Sequence, residues 1–293
     1  YYLDSTPTHS YMKFLYKYPQ AAFPYQKLYE ENSLRDKSVR EYELIDTGVF
    51  DDDRYFDVFV EYAKEGPEDI CIRITAVNRG PETAPLHILP TVWFRNTWSW
   101  TPNQPKGKLS LSEQGAMSAI SIDKELHCNY KLYFRDSPDI LFCENETNNR
   151  KLFNSENESE YAKDGVNEFL VKGATDAVNT ERGSKTAVHY RYDLGPGESK
   201  EIYLRLSDLA TLDGEIADEC RSIFDLRIAE ANEFYAGVIP ANLSEDGSRV
   251  MRQSLAGLLW SKQYYHYVVK QWLEGDRESP SPPAERLTGR NSE

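Results

Sequence analysis

Trp93, Phe94, Trp98 and Trp100 crowd around Arg95 and Asn96 in one short stretch of a 293-residue chain. Aromatic faces stack on the apolar faces of sugar rings, and arginine and asparagine donate hydrogen bonds to hydroxyls. Arg95, Trp98 and Trp100 are therefore the residues expected to bind substrate, an oligosaccharide. The same residue types dominate protein interfaces. Docking of this aromatic tip onto a neighbouring domain is the competing reading.

No residue is assigned a catalytic role. The chain carries no GxSxG, HExxH, P-loop or GxGxxG pattern. Glycoside hydrolysis needs only two carboxyl groups facing each other across a cleft. Spacing along a chain with 48 Asp and Glu cannot single them out. Asp51-Asp52-Asp53 offers the oxygen ligands that calcium takes, but it lacks the Asp-x-Asp-x-Asp-Gly pattern and reads as a solvated turn. His87, His127 and His189 each fall on the polar phase of a strand, while His9 and His266 are isolated. A cupin-like metal site uses such histidines; without a cluster they read as surface or hydrogen-bonded structural groups. No metal and no cofactor are expected.

The formal net charge is -14. Nucleic acid and anionic membrane both need a basic face, so neither is expected as a partner. An acidic surface suits neutral ligands such as sugars. No run of about 18 apolar residues is present to span a membrane. Cys71, Cys128, Cys143 and Cys220 are widely spaced without a CxxC pair. They read as reduced, buried thiols in a cytoplasmic protein. The chain begins at Tyr1 without methionine, which fits a removed leader or a piece of a longer protein. Asn-x-Ser/Thr tripeptides at Asn145, Asn157 and Asn242 are short enough to arise by chance.

The elements that must position the tip come from a period of two. Phe56, Val58, Val60 and Tyr62 alternate with Asp57 and Glu61. Ile70, Ile72, Ile74 and Ala76 alternate with Arg73 and Thr75. Leu86, Ile88, Val92 and Phe94 alternate with His87, Thr91 and Arg95. Each run buries one face and wets the other. Gly66-Pro67 and Gly80-Pro81 punctuate them, giving a three-stranded antiparallel meander that ends in the tip. Upstream, Tyr11, Phe14, Leu15 and Tyr18 have helical spacing, 27–37 reads as a second short helix and 41–45 as a strand. Downstream, strands are expected at 116–122, 126–134, 140–144, 168–172, 186–193 and 200–206, with a surface loop over 145–165. About ten strands with turn signals between them make an all-β sandwich. The period then changes to 3.6 residues over 212–237. Ser244, followed by Glu245 and Asp246, caps a further helix running to Leu273. That helix is aromatic nearly all round, so it expects cover on every side, with self-association through it as a further reading.

The blocks YYLDSTPTHSYMKFLYKYPQ, EYELIDTGVFDDDRYFDVFVEYAK, NRGPETAPLHILPTVWFRNTWSW and RQSLAGLLWSKQYYHYVVKQWLEGD resemble bacterial proteins of the mannosyl-oligosaccharide glucosidase type, glycoside hydrolase family 63. The resemblance implies a mainly β fold, an antiparallel β-supersandwich followed by one or two C-terminal helices of an (α/α)6 barrel. It places both the general acid and the general base on the barrel, in an inverting mechanism, and on no residue of this chain. The expected organisation is a β-sandwich domain over 1–211, a linker helix over 212–243, the first barrel helix over 244–274 and a linker over 275–293. The expected role is a non-catalytic N-terminal sandwich that braces the catalytic barrel of the same protein and borders its substrate cleft. A free-standing carbohydrate-binding module is the alternative.

Overall fold

Tyr11 to Pro19 is an extended strand, although its apolar spacing suits a helix. Nine consecutive residues pair with the next strand, from Tyr11 opposite Ala63 to Pro19 opposite Tyr55. Long-range pairing and the strand preference of tyrosine and phenylalanine outweigh the local helical pattern. The computed structural model describes residues 1–100, 103–114, 117–123, 130–212, 214–275 and 280–289. In chain order its elements begin with β1 (Tyr2–Ser5), β2 (Tyr11–Pro19), α1 (Tyr25–Ser33), β3 (Tyr55–Gly66), β4 (Asp69–Asn78), β5 (Ala84–Ile88) and β6 (Thr91–Trp93). They continue with β7 (Lys108–Gln114), β8 (Met117–Asp123), β9 (Tyr130–Phe134), β10 (Asp139–Cys143), α2 (Asn149–Phe153) and α3 (Gly165–Lys172). The chain closes with β11 (Arg182–Gly183), β12 (Lys185–Leu194), β13 (Ser199–Ser207), α4 (Ile216–Val238), α5 (Glu245–Trp260) and α6 (Val269–Glu274). The fold is mainly antiparallel β, in sandwich-like sheets with C-terminal helices, as the sequence implied.

One compact unit comprises Tyr1–His87, Arg191–Leu204 and Gly214–Ser261. Its strands run in the order β1-β2-β3-β4-β13. The expected meander is therefore only a β3–β4 hairpin. The neighbour of β4 on its far side is β13, and β5 pairs with β12 in a different sheet. The 41–45 segment is not a strand but leads into a 3-10 turn at Leu44–Thr47. The polar phase of β3 is also not wet: Asp57 and Glu61 are 5% and 3% exposed. Cross-strand cations cover them. Lys17 lies directly opposite Asp57 and Lys13 directly opposite Glu61, at 2.7 and 3.4 Å. Arg79 reaches Asp57 at 2.7 Å and Arg73 reaches Glu61 at 2.8 Å. Burial alone would raise the Asp57 carboxyl, but the bonds and charges of Lys17 and Arg79 outweigh it and hold the group below the usual carboxylate range.

Helices α4 and α5 are tied to this sheet by specific bonds. Ile216, Cys220, Ile223, Phe224, Ala231 and Tyr235 form the buried stripe of α4, on the expected 3.6-residue period. Arg227 Nε donates to Lys64 O at 2.7 Å and Tyr235 Oη to Ser5 O at 2.5 Å. Cys71 on β4 and Cys220 on α4 form a disulfide, with Cα atoms 5.6 Å apart. This corrects the reading of every cysteine as a reduced thiol: widely spaced cysteines need only be brought together by the fold. Cys143 is free and buried, and Cys128 lies outside the described residues.

Ser244 caps α5 as its sequence predicts, accepting from Gly247 N at 3.0 Å. The helix ends at Trp260 rather than Leu273. Tyr264 to Val269 is a run of aromatic and β-branched residues with weak helix propensity. Cover reaches only one side of α5, mainly at its end: Ala256 is buried, whereas Val250 and Leu258, and Tyr264 and Tyr265 beyond the helix, are exposed. The Trp260 ring stacks on Tyr2 at 5.3 Å, meets Phe14 edge-on at 5.4 Å, and its Nε1 donates to Asp4 O at 3.1 Å.

The second unit comprises Ile88–Tyr190, Arg205–Asp213 and Lys262–Glu293. Here the last residues of β13 pair with β9, followed in order by β8, β7 and β11, while β12 pairs with β10 and β6. Residues 168–172 are helical, within α3, not extended. Val166 and Phe169, three residues apart, pack against Leu141, Val178 and Ala187. Gly173, at a φ of 68°, closes the helix in the left-handed conformation. The 145–165 stretch, expected as loop, also contains α2, which Asn148 caps by accepting from Lys151 N at 3.1 Å.

Candidate carbohydrate site

The tip begins where β6 leaves its sheet. Trp93, Val92 and Thr91 pair with Lys185, Thr186 and Ala187, and Phe94 N donates to Ser184 O at 2.9 Å. Beyond that point side chains fold the backbone. Asn145 Nδ2 donates to Phe94 O at 2.9 Å, Asn96 Nδ2 to Asn145 O at 3.2 Å, and Ser99 N to Asn96 Oδ1 at 3.2 Å. Trp98 is buried, and its Nε1 donates to Glu146 Oε1 at 2.9 Å. Lys106 also pairs with Glu146, and its ammonium lies 5.8 Å from the Trp98 ring. The indole of Trp98 thus anchors the tip. Trp100 is 40% exposed, and the Arg95 guanidinium lies over its ring at 4.9 Å.

Arg95 and Trp100 border a cavity of about 520 Å³, together with His266, Tyr267, Trp272 and Arg286. Arg286 repeats the arrangement of Arg95: its guanidinium lies 4.8 Å over the Trp272 ring, with Nη1 donating to Trp272 O at 2.9 Å. Tyr267 is 6.4 Å from Trp272 and stacks on Tyr265 at 6.1 Å. Among the described lining residues there is no carboxylate. The arrangement offers flat ring faces and guanidinium donors, which suit holding a sugar ring.

Of the three residues singled out in the sequence, the structure brings Arg95 and Trp100 to this cavity and places Trp98 apart from it, buried against Glu146. His266, Tyr267, Trp272 and Arg286 were missed. They lie in segments that read as a covered helix and a linker. The density of tyrosine and tryptophan over 264–272 was the available signal.

The other candidates lie elsewhere. His87 is exposed, His127 is outside the described residues, and His189 is buried with Asp139 3.8 Å away. Asp51–Asp53 forms an exposed 3-10 turn with Asp52 and Asp53 both at a φ of 56°. Among the described residues no group of three or more His, Cys, Asp or Glu is placed to hold a metal ion, and no helix is long and apolar enough to cross a membrane.

No family model matches the chain. An uncharacterized protein of Saccharomyces cerevisiae is 37% identical over 338 aligned positions, covering 99% of this chain and 31% of the yeast protein. The chain therefore spans under a third of the length of the curated relative it matches. Among solved structures, a galactose mutarotase-like protein from Lactobacillus casei has a TM-score of 0.32 at 8% identity, covering 70% of this chain and 72% of that one. A chain from the human microbiome described as a kojibiose phosphorylase has a TM-score of 0.29 at 8% identity, covering 69% and 21%. Likenesses of this degree carry no argument.

Proposed function

We propose that this chain is a non-catalytic, sugar-binding β domain of a glucosidase-like glycoside hydrolase, one that braces an (α/α)6 catalytic barrel and borders its substrate cleft. The observation that carries the reading is the cavity in which Trp100 and Trp272 each present a ring under an arginine. Guanidinium N–H groups bond sugar hydroxyls, and a sugar ring would pack on the indole face that each arginine leaves uncovered. The resemblance of the sequence blocks to the family 63 glucosidases supplies the enzyme class, and the net charge of -14 favours a sugar over nucleic acid or anionic membrane as ligand.

The test is titration of the chain with oligosaccharides, followed by tryptophan fluorescence, beside an assay on aryl glucosides and α-glucosyl disaccharides. The expected result is quenching that Trp100→Ala abolishes, with no turnover. Turnover by this chain alone would overturn the non-catalytic role, and absence of binding both alone and with the catalytic domain added would overturn the sugar site.

The second reading is a free-standing carbohydrate-binding module, in which the cavity bordered by Arg95, Trp100, Trp272 and Arg286 binds sugar without a barrel. Affinity that is unchanged by a catalytic domain added in trans supports the module. Affinity that rises when that domain is present supports the bracing role.

A further inference from the structure

We propose that the cavity takes a sugar bearing an oxyanion, a phosphate or a carboxylate, in preference to a neutral sugar. The inference rests on the sugar-binding reading above and narrows its ligand class. The chain holds 48 Asp and Glu against 34 Lys and Arg, and several of its arginines take carboxylate partners. Arg54, Arg73, Arg79 and Arg252 all do so, with Glu82, Glu61, Asp57 and Asp4. Arg95 and Arg286 are paired with no carboxylate among the described residues, and both line one cavity.

Each of these guanidiniums lies over an indole, at 4.9 Å for Arg95 on Trp100 and 4.8 Å for Arg286 on Trp272. Stacking uses the face of the guanidinium and leaves its N–H edge for acceptors. Arg286 spends one donor on Trp272 O at 2.9 Å, out of the five that a guanidinium carries. The edge geometry matches the paired oxygens of a phosphate or carboxylate, which accept two parallel bonds. A neutral hydroxyl would satisfy donors, but only an oxyanion would also pair with the two guanidinium charges, and the described walls of the cavity carry no negative group.

The experiment is calorimetric titration of the 293-residue chain with glucose, glucose 6-phosphate, glucuronate and inorganic phosphate. The charged sugars are expected to bind roughly tenfold or more tighter than glucose. That advantage should shrink as salt rises from about 0.05 to about 0.5 M. Arg286→Gln and Arg95→Gln should each erase most of it, while Arg286→Lys, which keeps the charge but loses the fork, restores part. Comparing glucose 6-phosphate with glucuronate distinguishes the two oxyanions. Equal affinity for glucose and its charged relatives overturns this inference and leaves the sugar reading standing. Inorganic phosphate binding as tightly as glucose 6-phosphate overturns both, because the ring then contributes nothing, as does absence of binding by all four. Arg95 is exposed, so its variant tests the site without threatening the fold. Melting curves of all variants separate loss of binding from loss of structure.

Discussion

Trp98 Nε1 donates to Glu146 Oε1 across 48 residues of sequence, and this buried bond holds the tip that displays Arg95 and Trp100. Neither partner is among the residues lining the cavity. Trp98→Phe keeps most of the packing but leaves the buried Glu146 with one donor fewer. The expected cost is about 1–3 kcal/mol of stability. Sugar affinity should fall as well, because the tip loses its anchor. Melting curves and titration on the same sample check this. Undiminished affinity in a folded Trp98→Phe protein would show that the asparagine bonds at Asn96 and Asn145 hold the tip without it.

Trp100→Ala is the converse change. Its ring is 40% exposed and serves as a platform rather than as core. Stability should move by no more than about 0.5 kcal/mol, while sugar binding falls roughly tenfold or more. A variant that melts lower yet binds normally would make Trp100 a packing residue and remove it from the site.

The contrast between Trp98 and Trp100 marks how far the sequence was legible. Both looked alike as members of one aromatic cluster. Only a partner far along the chain, Glu146, separates anchor from platform. The β-rich class was legible from period-two alternation, and the start of α5 from Ser244 and its two acidic successors. Asp57 and Glu61 were misread as wetted because alternation reports polarity, not cover. Their partners Lys17 and Lys13 lie on a strand whose own spacing suggested a helix. Arg286 was invisible because nothing in a Pro- and charge-rich tail says which arginine folds back onto a tryptophan.

The disulfide between Cys71 and Cys220 closes a separation of 149 residues and pins α4 to β4. Replacing both with serine should cost about 2–5 kcal/mol. A peptide map made after blocking free thiols should recover the linked pair. Recovery of that pair from cells would argue for an oxidising compartment, against the cytoplasmic expectation, because cytosolic thiols are kept reduced. Cys143 should resist alkylation until the protein unfolds. Burial pushes its thiol up to about 11, against the opposing charge of Lys185 and with a smaller push from Glu144, so little thiolate exists near neutrality.

Asp57 gives a prediction with a definite direction in pH. Its folded carboxyl titrates below the ordinary range: burial opposes the charge, but Lys17 and Arg79 at 2.7 Å outweigh it. A carboxyl with a depressed folded value stabilises the protein above its unfolded value, about 4, and that stabilisation is lost as pH falls through the lower folded value. Lys17 behaves in the opposite sense. Its ammonium is raised by the bond to Asp57 despite partial burial, so its contribution is present at neutral pH and lost only as pH climbs through the folded value, above 10.5. Asp57→Asn should therefore cost roughly 1–3 kcal/mol at neutral pH, toward the low end because Lys17 and Arg79 are 30% and 44% exposed and partly screened. Urea unfolding of wild type and Asp57→Asn across the acid range checks it. The gap between the two should narrow below about pH 4. A gap that stays constant into strong acid would mean that Asp57 is held by packing and neutral hydrogen bonds, with its charge contributing nothing.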